Sequence, residues 1–244
     1  MSIIVHASCD ENRQIRNGKA GDQTGREVCT REWYSKPWTY VIRPKNPKTA
    51  ERAVQIAVSL ANSNKVGYDQ NQRNTLYNEL KKHNFDVDAI SPCETDCSAF
   101  VTACYIAAGV SSLNYTSNAP TTSTMVKTFL GTGEFEVLSD SKYIKVDMFL
   151  KRGDILVKPG SHTVMVVQKS NPYKEPITLV KKGSKGNIVK WVQWHLIRKG
   201  YLGWNEADGD AGPRTHNAIV TFQKANNLVP DGLVGGKTRA ALKQ

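Results

Sequence analysis

Two rhythms of apolar and polar positions run along this chain, and they assign most of its elements. Residues 1–8, "MSIIVHAS", carry the β-rich run Ile3–Val5 straight into His6 and predict a strand. A polar, glycine-containing loop follows from Asp10 to Gly25, and "WTYVIRP" (Trp38–Pro44) predicts a second strand. Asn46-Pro47 has the form of a helix start, a cap followed by proline at the first helical position. Beyond it Ala50, Ala53, Val54, Ala57 and Ala61 fall on one helical face. "QRNTLYNELKKHN" predicts another helix through Leu76, Tyr77 and Leu80, and a strongly apolar helix runs from Asp96 to Ala108, stopped by Gly109. The stretch from Ser111 to Leu150 is polar and loop-rich, with a short helix near Ser123–Leu130. "GDILVKPGSHTVMVVQ" then predicts two strands around a Pro-Gly turn.

The texture changes after "KSNPYKEP" (Lys169–Pro176), which is polar, proline-containing and aperiodic. One helix follows with Ile188, Trp191, Val192 and either His195 or Leu196 inward; a second starts at Pro213 with Ala218, Ile219 and Phe222; "DGLVGGKTRAALK" gives a short third. The expected division is a domain over 1–170, a linker over 171–177 and a three-helix domain over 178–244. The fold class expected is α+β, with an antiparallel sheet and helices in the larger part.

Charge narrows the partners. There are 33 Lys/Arg against 22 Asp/Glu, a net charge of +11, which points to a polyanion: nucleic acid, anionic lipid or wall polymer. Eleven Lys/Arg against four acidic residues lie from Ile177 onward. No aromatic-basic motif supports nucleic-acid binding, and no apolar run approaches the roughly 18–20 residues of a membrane span. The expectation is a soluble monomer with no membrane insertion. The opening residues lack a basic n-region and a long apolar core, so they read as part of the fold rather than a signal peptide, and the five cysteines are consistent with synthesis in a reducing cytosol.

The sharpest chemical signal is "TDCSAFVTACYIAAG". Cys97 falls in the first turn of a helix capped by Thr95 or Asp96, where the helix dipole favours a thiolate. A histidine that takes its proton would make it a nucleophile, and His162, opening "HTVMVV", is the candidate base. Other readings stay open. Cys97 can be a core residue, as Cys104 seven positions on is expected to be. Cys93 and Cys97, with His6 and Cys9, can instead be zinc ligands. "DGDAGPRT" reads either as calcium ligands or as a turn before a proline-started helix. Arg152-Gly153-Asp154 spells an integrin tripeptide, but its aspartate leads into a strand.

"DCSAFV", followed about sixty residues later by "RGDILV…SHTVMVV", resembles the NlpC/P60 family of papain-like cysteine peptidases, which cut bacterial peptidoglycan. The resemblance makes Cys97 the nucleophile and His162 the base. That family's next strand supplies a third polar residue, often a histidine, yet here the linker follows Val167. "IIVHAS" matches the missing strand and "WTYVIRP" the family's closing strand, so the domain reads as circularly permuted, with His6 as the third residue. In an antiparallel pair His6 would then lie opposite His162 at ~4.5–5.5 Å. The family's tyrosine near the oxyanion corresponds to Tyr68 in "VGYDQ". Residues 178–243 resemble the peptidoglycan-binding-domain-1 family, where Tyr201 and Trp204 either line a glycan groove or pack in the core.

Together these resemblances imply a phage-type endolysin, made in the host cytoplasm and acting on the wall after release. It would need no cofactor or metal and would cleave a stem-peptide amide as a γ-D-glutamyl endopeptidase or an N-acetylmuramoyl-L-alanine amidase. The rival expectations are a wall-binding protein with an inactive front domain and a zinc-dependent amidase.

Overall fold

The computed structural model describes residues 2–169 and 171–244, which divide between two units, Met1–Lys169 and Ser170–Gln244. The boundary expected at residue 170 lies outside the described residues. In chain order the first unit contains β1 (Ser2–Ala7), β2 (Val28–Glu32), β3 (Tyr40–Pro44), α1 (Pro47–Asn62), β4 (Val66–Tyr68), α2 (Thr75–Lys82), β5 (Cys93–Thr95) and α3 (Cys97–Ala107). There follow α4 (Met125–Gly131), β6 (Phe135–Leu138), α5 (Ser141–Ile144), β7 (Ile155–Lys158) and β8 (His162–Lys169). The second unit holds α6 (Asn187–Arg198), α7 (Pro213–Ala225) and α8 (Gly236–Lys243).

The first unit is mixed α/β. Six antiparallel strands form one sheet in the order β2-β1-β8-β7-β3-β6, and β4 and β5 form a short parallel pair. Period-two alternation sorts the strand residues onto two cores. Met165 and Val167 of β8 join Val5 and Ala7 of β1 in a core shared with Val54, Ala57 and Phe100 from α1 and α3. Val164 and Val166 join Ile4, Val41 and Leu156 in a second core under Trp38 and Leu150. With both faces covered, the central strands carry consecutive apolar residues, which is why they stand out in the sequence.

Helix α1 starts as its sequence dictates: the Asn46 side chain accepts from the Lys48 N–H at 2.9 Å and Pro47 opens the helix. Its buried stripe is Ala50, Ala53, Val54, Ala57 and Leu60. Every residue of α3 is buried, so this helix is apolar all round, with Asp96 as its cap accepting from Ala99 N–H at 2.7 Å.

Four strands have no signal in the sequence: β2 and β6, the two edges of the six-stranded sheet, and the three-residue pair β4 and β5. Only Val28 of β2 and only Phe135 of β6 are buried, so neither carries an apolar alternation to read. The strand expected at Trp38 begins at Tyr40; Trp38 turns into the second core instead, 3% exposed.

The Gly153-Asp154 pair ties the sheet to its helices. Asp154, 0% exposed, takes a two-pronged ion pair from Arg43 at 2.8 and 2.6 Å, which leaves no integrin-type loop. Gly153 has φ +89°, and a Cβ there would stand 2.7 Å from the Ala50 Cβ. The Tyr105 hydroxyl donates to its carbonyl at 2.5 Å.

The second unit is built twice over. "DGDAGPRT" (208–215) and "DGLVGGKT" (231–238) share Asp-Gly-x-x-Gly-x-x-Thr, and each runs into a helix. Gln193 donates to Asp208 Oδ1 (2.6 Å), Asp210 O (3.1 Å) and Thr215 Oγ1 (3.1 Å) while accepting from Gly209 N–H (2.8 Å). Gln223 repeats the pattern on Asp231, Leu233, Thr238 and Gly232. "DGDAGPRT" is therefore a turn closed by a buried amide, running into a helix that opens on Pro213. Tyr173 packs against this unit's core and Glu175 pairs with Lys243 at 3.0 Å, so part of 171–177 is held down.

Candidate functional site

Cys97 is the first residue of α3 and follows β5 by a single residue, Asp96. The strand delivers the cysteine and the cap fixes the helix end. Arg73 fastens that cap: its Nε reaches Asp96 Oδ2 at 2.5 Å, and its other nitrogens bond Ser98 Oγ, Ala119 O and Pro120 O. Cys97 lines a cleft of ≈ 410 Å³ whose walls include Arg16, Gln70, Thr122 and Ser161.

His162 opens β8 and is 8% exposed; His6 on β1 is 6% exposed. Their rings meet edge-on with centroids 6.0 Å apart. The register differs from the expected one. Val5 pairs with Met165, so His6 continues toward Val164, while His162 pairs with Lys158 on its other side. A bulge between Ile3 and Ile4 breaks the β1–β8 ladder. The imidazoles thus touch diagonally, and His6 Nδ1 is buried with no hydrogen-bond partner. Trp38 stacks on His162 at 6.3 Å and Tyr34 packs on His6 at 6.3 Å.

The electrostatics depart from the thiolate expectation. Burial pushes the Cys97 thiol up to about 12, and the Asp96 carboxylate adds to this; backbone N–H groups of Thr163 and Ser98 at the sulfur and the Arg73 charge pull the other way without winning. Desolvation of the thiol in a residue only 6% exposed outweighs the helix dipole. His162 falls to about 3 through burial, with Lys36 and His6 adding to it, and His6 to about 4 through burial, Arg31 and Lys36. At rest the thiol and both imidazoles are neutral.

Tyr68 ends β4 in the interior, 3% exposed, its hydroxyl accepting from Gln70 Nε2 at 3.2 Å. Burial and the neighbouring Cys97 raise its phenol. In the second unit Tyr201 packs edge-on against Phe222 at 5.5 Å, a core contact, while Trp204 is 38% exposed. Cys93 directs its thiol at Lys65 O, 3.7 Å away, and Cys104 is fully buried. The sequence reading passed over Arg73, Trp38 and Tyr34. Arg73 and Tyr34 sit in no motif, and Trp38 reads in the sequence only as the start of the strand "WTYVIRP".

A family described as "Endolysin-like domain" matches residues 4–173, and peptidoglycan-binding domain 1 matches residues 185–242. Among curated relatives, a "Probable N-acetylmuramoyl-L-alanine amidase" of Bacillus licheniformis is 32% identical over 99 residues, covering 40% of this chain and 28% of that protein. "N-acetylmuramoyl-L-alanine amidase CwlL" of the same organism is 32% identical over 106 residues, covering 43% and 29%. The chain thus spans under a third of the length of these relatives. Among solved structures, the SleB N-terminal domain is 32% identical with a TM-score of 0.27, covering 29% of this chain and 94% of that one.

Proposed function

We propose, for a chain that belongs to the endolysin-like domain family and carries a peptidoglycan-binding domain 1, that it hydrolyses an amide bond in the stem peptide of bacterial peptidoglycan through Cys97. The observation that carries this reading is one junction. The sulfur at the head of α3 receives the N–H of Thr163, the residue after His162, and the His162 ring rests on His6. A nucleophile, a neutral base and a group that packs the base in place meet there.

In this mechanism the Cys97 proton passes to His162 as the sulfur attacks the scissile carbonyl. The oxyanion is met by the Cys97 N–H at the start of α3. The carbon–nitrogen bond breaks, the departing amine takes the proton from His162, and a thioester remains. Water, giving a proton to His162, then splits the thioester into a carboxylic acid and the free thiol. Trp38 and Tyr34 pack the imidazoles and exclude water from them. Tyr68 is assigned a place beside the sulfur and Trp204 a place on the wall-binding surface, while Tyr201 serves the core through Phe222.

The β1–β8 pairing supports the permuted NlpC/P60 reading, because the strand that should follow β8 in chain order lies beside it as β1. The amidase names of the relatives favour the N-acetylmuramoyl-L-alanine bond over the γ-D-glutamyl bond. No helix among the described residues is long and apolar enough to cross a membrane; the proposed setting is the wall, with the second unit holding the enzyme to its substrate.

Purified walls incubated with the full chain would lose turbidity, and Cys97→Ala, folded by circular dichroism, would not clear them. Lysis that survives Cys97→Ala but stops with a chelator would replace this mechanism with a zinc amidase. Binding without lysis by the wild type would replace it with a wall-binding role. Mass spectra of the digest assign the bond by its new amino terminus.

A further inference from the structure

The cleft that holds Cys97 carries more positive charge than the fold uses. Asp96 is the one acidic residue on its walls, and Arg73 takes that carboxylate at 2.5 and 3.2 Å. The two charges cancel. Arg16 is left over: it lines the same cleft, it is exposed, and among the described residues it makes no ion pair.

Its place on the wall is built. The residues on either side of Arg16 are sewn to the segment that follows β4. Gln70 N–H donates to Ile15 O at 2.9 Å, Asn17 N–H to Asp69 Oδ2 at 2.9 Å, and Asn71 Nδ2 to Asn17 Oδ1 at 3.2 Å. Asn17 takes φ +66°, a left-handed conformation that asparagine tolerates. Gln70 and Asn71 are cleft residues themselves, so the loop presents Arg16 beside them. Two further cations come from β2 and the segment after it. The Lys36 charge acts on both His162 and His6, while Arg31, over the Tyr34 ring at 4.9 Å, acts on His6. Neither is ion-paired among the described residues. With the thiol and both imidazoles neutral, the resting site meets its substrate with fixed positive charge.

We propose that this charge selects stem peptides bearing a free carboxylate beside the scissile amide, with Arg16 as the residue that binds it; the inference rests on the reading that Cys97 cuts the stem peptide in this cleft. A γ-linked glutamate supplies such a group. Its side chain makes the peptide bond, so its α-carboxylate stays free. That carboxylate lies within one residue of the cut amide whether the muramoyl-alanine or the γ-D-glutamyl bond is broken. A guanidinium meets it with two parallel N–H donors; Lys36 adds to the field without that fork. Where the glutamate is capped as a carboxamide the charge is gone, and Arg16 gains only a neutral hydrogen bond.

Binding and cutting are read separately. Two soluble muramoyl peptides, L-Ala–γ-D-Glu–L-Lys–D-Ala, are made with the glutamate α-carboxylate free or as the carboxamide. Titrated into full-chain Cys97→Ala, the free acid would bind about tenfold more tightly, and the ratio would shrink as salt rises. Arg16→Gln in that background would bring the ratio near one, and Arg16→Lys would keep part of it. Arg13→Gln, in the same loop but off this wall, would keep all of it. With Cys97 restored, kcat/KM would show the same ratio. Equal or undetectable binding of the two peptides would overturn the assignment, as would a preference that survives Arg16→Gln. If the preference holds in binding while the wild type cuts neither peptide, the Cys97 mechanism falls and the carboxylate site stands.

Discussion

Alkylation of Cys97 measures the resting state on which the mechanism turns. With its thiol at about 12, roughly one molecule in thirty thousand carries the thiolate at pH 7.5, against about one in ten for an unperturbed cysteine near 8.5. Iodoacetamide, which reacts with the thiolate, would therefore modify Cys97 about three orders of magnitude more slowly than a free cysteine. Burial alone would slow the reaction equally at every pH, whereas a raised thiol gives a rate that climbs tenfold per pH unit up to about pH 10. Asp96→Asn sharpens the comparison. Asparagine still caps the helix, but the second-largest cause of the shift is gone and the Arg73 charge is left beside the sulfur, so alkylation at fixed pH accelerates. Peptide mass spectra separate Cys97 from Cys9 and Cys29, which are only half-buried.

A rate that levels off with a midpoint below pH 7 would refute this reasoning, because it would mean a preformed thiolate–imidazolium pair. Under the neutral-pair account, proton transfer to His162 accompanies attack on the carbonyl instead of preceding it. Burial leaves the His162 imidazole free to accept that proton but also weakens it as a base, so the transfer waits on formation of the sulfur–carbon bond.

The same burial sets an acid limit on the fold. Both histidines have folded-state values below the ordinary 6.5, at about 4 for His6 and about 3 for His162, so their contribution is present above pH 6.5 and is lost as pH falls toward those values. Each steepens the loss by up to about 1.4 kcal/mol per pH unit, and His6→Asn would remove one share of the slope in urea unfolding between pH 6.5 and 4. Gly153→Ala would cost about 1–3 kcal/mol in the urea midpoint, since φ is +89° and the new Cβ meets Ala50 at 2.7 Å; adding Ala50→Gly would restore the steric part only. In the second unit Gln223→Ala leaves Gly232 N–H and Asp231 without their buried partner. It would cost about 1–3 kcal/mol and speed amide exchange at Gly232, and Gln193→Ala would do the same at Gly209.

What was legible from the sequence follows burial. β7 and β8 are covered on both faces and α1 and α3 are packed, so their apolar residues announce them; β2 and β6, with one buried residue each, do not, and β4 and β5, though buried, are three residues long and too short to show a period. The candidate site divides the same way. Cys97 and His162 sit in short motifs, but Arg73 reaches Asp96 across 23 residues, and nothing local marks it. His6 and His162 show which quantity alternation carries. Their register is two places from the expected one, and in a strand a slip of two keeps every side chain on its face. Val164 and Ile4 confirm that face by sharing the second core. The rings still meet, now on the diagonal, because aromatic side chains span that longer separation. A slip of one would have turned His6 to the helix side in place of Val5 and Ala7 and parted the two imidazoles. Alternation therefore fixes which residues can meet at the site, while the register that sets how they meet, Val5 against Met165, is invisible in composition.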